Sequence, residues 1–216
     1  MAEMADVSSE FRIPLIRALR AGKLDVARAL CERVPEGADL GESPTLWAVN
    51  AGSLEGLKVC IDHFGPHPHE PGRSGAMHLA AFMGNADAIC ALLDAAASPD
   101  ETDQDGRRPL GMAAEGPGYE ERARCVELLL AAGANPDARD NLGRTALMTA
   151  LDREDRMPLP NLARASIDGP TALDKEGRTA LDRAQERGAG WALPSLEAKL
   201  LDQRMAPARA TSARRL

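Results

Sequence analysis

Apolar residues fall into paired runs along this chain, a short Ala-rich run, a glycine, then a longer run at helical spacing. The longer runs include Leu24, Val26 and Leu30, then Leu54, Leu57 and Ile61, then Ile89, Leu92 and Leu93, then Val126, Leu129 and Leu130. Intervals of three and four residues put such side chains on one face of a helix. The short runs, such as Pro14–Leu19, Ser43–Ala48 and Ala76–Ala81, precede Gly22, Gly52 and Gly84, and Gly188 holds the same place near the end. Glycine suits the tight turn between two antiparallel helices. A Thr or Ser ahead of Pro or Ala is expected to cap the first helix of each pair, and Pro44 and Pro109 fit its first turn.

The pairs repeat. Asp103–Leu110, Asp140–Leu147 and Asp174–Leu181 all read D-x-x-G-R-[RT]-[PA]-L, and their glycines, Gly106, Gly143 and Gly177, are 37 and 34 residues apart. Gly22, Gly52 and Gly84 are spaced by 30 and 32. A period in this range marks a stacked-repeat architecture, because one such unit cannot bury its apolar face alone. Segments rich in turn formers, such as Gly133–Asp140, are expected to project as hairpin-like fingers.

These octets, His78-Leu79-Ala80-Ala81 and the run Leu128–Asp140 resemble the ankyrin-repeat family, whose unit of about 33 residues opens on D-x-x-G-x-T-P-L-H-x-A-A. The resemblance covers about residues 11–202. It implies an all-α solenoid of about six stacked helix-turn-helix units with finger loops, at roughly 11–40, 41–71, 72–102, 103–139, 140–173 and 174–202. Residues 1–10 would be an N-terminal extension, and 203–216 a basic, disordered tail. Gly111 and Met148 replace the family histidine and Arg108 the threonine, and the end units match weakly, as terminal caps do. Extra residues around Glu115–Glu121 and Asp152–Pro160, and the irregular finger Gly65–Gly72, are expected to form surface loops, where function concentrates.

Composition agrees. Six aromatic residues in 216 leave core filling to Ala, Leu, Val and Ile, which suits closely spaced helices. The formal charge of −7 is uneven: residues 183–216 hold 7 basic and 3 acidic side chains (+4), so the remaining 19 basic and 30 acidic ones give −11. An acidic chain argues against general nucleic-acid binding. No apolar run reaches the ~18–20 residues of a membrane span, and the first residues lack a signal-peptide pattern. A cytoplasmic protein, monomeric when free, is expected.

Little in the chain points to chemistry. Cys31, Cys60, Cys90 and Cys125 recur once per unit, without a C-x-x-C pair, and read as small core hydrophobes. His67, His69 and Glu70 could ligate a surface metal or serve a catalytic role, and they carry the competing reading; prolines around them more simply shape a finger. His78 matches the family's structural histidine. No G-x-S-x-G, P-loop or G-x-G-x-x-G is present, so neither catalysis nor a cofactor is expected.

Binding remains. By resemblance, the partner-facing positions are finger tips and exposed ends of first helices. On this chain these are Glu42, Asn50, Phe82, Met83, Gln104, Asp105, Arg107, Glu115, Arg139, Asn141, Leu142, Arg144, Asp152, Arg153, Lys175, Glu176 and Arg178, with Tyr119 in the inserted loop. Phe82-Met83 is the most anchor-like pair, since hot spots favour large apolar side chains, whereas Trp47 stands where the family buries Leu and is expected in the core. The expected function is non-catalytic capture of another protein, one carrying a basic surface that the acidic solenoid attracts. Neutralising an enzyme or toxin, as an immunity protein does, is a concrete version of it.

Overall fold

The computed structural model describes residues 7–35, 40, 42–66, 74–152, 159–166, 168 and 170–201. Two layers of helices make up the described chain. One holds α1 (Val7–Arg20), α3 (Pro44–Ala51), α5 (Ala76–Phe82), α7 (Pro109–Glu115), α9 (Ala146–Leu151) and α11 (Ala180–Glu186). The other holds α2 (Leu24–Arg33), α4 (Leu54–Phe64), α6 (Ala86–Asp94), α8 (Tyr119–Ala131), α10 (Leu159–Ala165) and a last helix, α12, over 193–201. From α1 to α10 each helix packs on its partner in the pair, and neighbours within each layer pack on one another. That is an all-α repeat solenoid.

Small residues set the spacing. Ala48, Ala80, Ala81, Ala113, Ala114, Ala150, Ala180 and Ala184 are buried between first-layer helices, with Leu57, Ile89, Leu92, Val126 and Leu129 filling the second layer. The turn glycines Gly22, Gly52, Gly84 and Gly188 all have positive φ. Thr145 and Thr179 cap α9 and α11 by accepting from the N–H of Met148 and Asp182. Ser43 does not cap α3. The neighbouring Thr45 hydroxyl instead donates to the Gly65 carbonyl at 2.8 Å, tying α3 to the end of α4.

The expected apolar stripe of α2 is only partly buried. Ala27 and Cys31 are inside, while Val26 is exposed. Among the described residues α2 has a neighbouring unit on one side only, so one flank of its stripe stays uncovered. Leu54, in the first turn of α4, is likewise exposed.

Candidate protein-binding surface

The D-x-x-G-R octets build the fingers from within. In each, the aspartate Oδ1 accepts the backbone N–H two and four residues on: Asp105 and Arg107 for Asp103, Leu142 and Arg144 for Asp140, Glu176 and Arg178 for Asp174, all at 2.8–2.9 Å. The other oxygen takes the Nε of that same arginine at 2.8–3.2 Å. The glycine between them has positive φ, 69° at Gly106 and 76° at Gly143, conformations a side chain resists. Successive fingers then join through backbone bonds, Asn141 N–H to the Asp105 carbonyl (2.8 Å) and Lys175 N–H to the Leu142 carbonyl (3.0 Å). Asn141 adds a side-chain bond to the Gln104 carbonyl.

Several expected partner contacts are therefore occupied within the fold. Arg107, Arg144 and Arg178 bridge to their own finger aspartates. Arg139 donates to the Leu173 carbonyl of the next unit. Asp152, at the end of α9, faces inward as counter-ion to the buried Arg183, which bonds both its oxygens at 3.0 Å and reaches Asp174 at 2.6 Å. Burial works against the charge of Asp174. The N–H groups of Arg178 and Glu176 and the guanidinium of Arg183 outweigh it and hold the carboxyl far below the usual carboxylate range. Asp103 is lowered too, its burial overcome by the N–H and guanidinium of Arg107 and the Ser74 hydroxyl.

His78 ties units together. It is fully buried, its Nδ1 accepts the Gly75 N–H, and so its Nε2 carries the proton donated to the Arg107 carbonyl at 3.1 Å. Burial lowers its pKa, keeping the ring neutral.

The first-layer helices leave a cleft of about 540 Å³ on the finger-bearing side of the stack. Two columns line it. Trp47, Leu79 and Met112 stand at one register of α3, α5 and α7, and Asn50 and Phe82 stand three residues further along α3 and α5. Leu46, Ser74, His78, Gln104 and the first-unit Arg12 also line it. Glu42 is fixed there: its Oε2 accepts the Trp47 indole N–H at 3.0 Å and pairs with Arg12 at 3.3 Å, while that guanidinium lies 5.8 Å from the indole centroid. Trp47 is buried. Phe82 and Met83 are 37 % and 42 % exposed.

Of the expected positions, Glu42, Asn50, Phe82 and Gln104 meet in this cleft. Met83, Asp105, Asn141, Leu142, Lys175 and Glu176 are exposed outside it. Glu115 closes α7, with the inserted turn folded under Phe82: a Cβ at Gly116 would lie 2.1 Å from the Phe82 carbonyl oxygen, and the buried Arg122 bonds the Gly116 carbonyl. Arg153, the side chain of Tyr119 and the whole His67/His69/Glu70 loop lie outside the described residues, as do 1–6 and 202–216. Sequence reading missed Arg12, Leu46, Leu79 and Met112. Leu79 and Met112 were findable, because each precedes an expected position, Phe82 or Glu115, by one helical turn.

Among the described residues no helix is long and apolar enough to cross a membrane. The chain is similar to E3 ubiquitin-protein ligase hecd-1 of Caenorhabditis elegans, 29 % identical over 152 residues, which are 69 % of this chain and 5 % of that protein. It therefore spans only a small part of that relative's length. The family model for ankyrin repeats matches three copies within residues 46–140 and 77–157, so that 46–157, just over half of the chain, is covered. Together with the stacked helix pairs and their fingers, this match places the chain in the ankyrin-repeat family, whose members serve as protein–protein interaction modules.

Proposed function

We propose that the chain captures one protein partner through the cleft across α1, α3, α5 and α7 together with the exposed finger tips, and does so without catalysis. The observation that carries this reading is the cleft itself, where half-exposed Leu46, Leu79 and Met112 and exposed Phe82 form an apolar strip between polar Asn50, Gln104 and the Arg12–Glu42 pair. An apolar centre with a polar rim is the anatomy of a binding hot spot. The partner carries a basic surface, drawn by the −11 charge of residues 1–182. Finger aspartates contribute less to that attraction than their number suggests, because Asp103, Asp140 and Asp174 are neutralised by neighbouring arginines. Binding neutralises the partner, in the manner of an inhibitor or immunity protein acting as a monomer in the cytoplasm.

The test begins with affinity capture and identification of the partner, followed by Kd measurement. Phe82→Ala should weaken binding about tenfold or more, the loss expected of an anchor worth at least ~1.4 kcal/mol. Asn50→Trp, which puts bulk into the cleft from an exposed helix position, should weaken it similarly, with helical circular dichroism unchanged for both. Unaltered affinity in both variants would remove the cleft from the account. If the partner is an enzyme whose turnover is unaffected at saturation, the neutralising role is wrong even where binding stands.

A further inference from the structure

The end of the stack formed by α1 and α2 differs from the rest in both charge and cover. Residues 7–35 hold six basic side chains and three acidic ones (+3), whereas residues 36–182 hold 13 basic and 25 acidic (−12). Among the described residues α1 and α2 pack on each other and on α3 and α4, so their far flank has no neighbouring unit. Helical spacing gives what it presents. Glu10, Ile13, Arg17 and Arg20 share one face of α1, and Lys23, Val26, Leu30 and Arg33 share one face running from the N-cap of α2. Ile13 and Val26 are 50 % and 48 % exposed.

The cations of this flank are unspent. Elsewhere in the stack Arg107, Arg144, Arg178 and Arg183 each reach an aspartate at 2.6–3.2 Å. In the first unit only Arg12 forms an ion pair among the described residues, with Glu42 at the cleft. Arg17, Arg20, Lys23 and Arg33 are exposed and have no carboxylate partner among the described residues. Asp25 and Glu32 fall with Arg28 on another face of α2, three and four residues from it, which leaves Glu10 as the acid on the two faces.

We propose that this flank is a second docking surface, independent of the cleft, for an acidic amphipathic helix of another protein. The helix packs on α1 and α2 from the side opposite α3 and α4. Its apolar residues cover Ile13, Val26 and Leu30, and its carboxylates meet Arg17, Arg20, Lys23 and Arg33. Charge selects this occupant. Two such flanks set face to face would oppose like charges, which disfavours a second copy in that arrangement, and an acidic helix supplies the missing counter-ions. The cleft and the flank therefore select partners of opposite sign. Cover on the flank also stabilises a terminal unit, which opens at lower free energy than interior ones.

The experiment titrates the full chain with two synthetic helices that share a face of leucines at helical spacing. One carries glutamate at its remaining positions and the other lysine. The acidic helix should bind about tenfold or more tightly than the basic one, and weaken as salt is added. Arg17→Glu combined with Arg33→Glu, both exposed, should weaken it about tenfold, and Val26→Glu should do the same through the apolar strip. Bound acidic helix should slow amide exchange in α1 and α2 and leave 79–83 and 104–112 at their free rates. Absent binding, equal affinity for the two helices, affinity unchanged in the Arg17/Arg33 variant, or slowing at 79–83 and 104–112 in place of α1 and α2 would each overturn the proposal. So would a dimer of the chain that Ile13→Glu dissociates, or binding seen only after residues 1–6 are removed, since the flank would then already have an occupant.

Discussion

His78 and Asp174 show how single side chains hold neighbouring units in register. A neutral imidazole bonds its own helix start and the carbonyl of a finger 29 residues on. His78→Ala leaves both groups without that partner inside the fold and should cost about 2–3 kcal/mol in denaturant unfolding. Asp174→Ala strips the buried Arg183 of its nearest counter-ion, and the cost should be about 3 kcal/mol or more. Acid should act in two windows. The folded pKa of His78 lies below the unfolded ~6.5, so the unfolded chain binds the proton first; its stabilising contribution is complete above ~6.5 and declines as pH falls below that value. Asp103 and Asp174 are also depressed, so their contributions are complete above ~3.9 and are lost only below it. Unfolding free energy measured against pH should therefore decline first below 6.5 and again below 4. His78→Gln, which cannot titrate, should lack part of the first decline; an identical decline in that variant would exclude His78 as its source.

At the scale of elements, the finger explains why its octet is so regular. Aspartate supplies the acceptors, glycine the left-handed turn, and arginine the closing ion pair, so each letter has a local cause. Gly143→Ala combines an unfavourable φ with a Cβ 3.0 Å from the Lys175 amide nitrogen and should destabilise by about 1–3 kcal/mol. Gly116→Ala, whose Cβ would collide with the Phe82 carbonyl, should be at least as damaging and should also disturb the cleft through α5. Both costs can be read as shifts of the denaturation midpoint at unchanged slope. Such periodic features were legible in the sequence: helix pairs, turn glycines and fingers all came from spacing. Features crossing between units were not. Nothing local marks Asp152 as the partner of Arg183, 31 residues away, or sends Thr45 rather than Ser43 into a hydrogen bond. Resemblance alone placed Arg144 at a partner surface, while its aspartate four residues earlier holds it within the finger.

The whole molecule is a nearest-neighbour stack, and its properties vary along its length. The fingers at Asp103, Asp140 and Asp174 form the ladder in units four to six and the family match covers 46–157, whereas among the described residues the first unit is covered on one side and exposes Ile13 and Val26. Native-state amide exchange should accordingly be fastest in α1 and α2 and slowest in α5 to α8. Uniform protection across the stack would contradict nearest-neighbour stabilisation. The candidate site was half legible for the same reason. Asn50 and Phe82 repeat at one register and were expected, as was Glu42, but the cleft also needs Arg12, which meets Glu42 over Trp47 only once the first two units stack.

The central claim is that the first-layer face, not the second-layer face, receives a protein. Amide exchange of the chain with and without its captured partner tests this most directly. Binding should slow exchange over residues 46–51, 79–83 and 104–112, leaving α4 and α6 at their free rates. Slowing confined to α4 and α6, with those segments unchanged, would contradict the account.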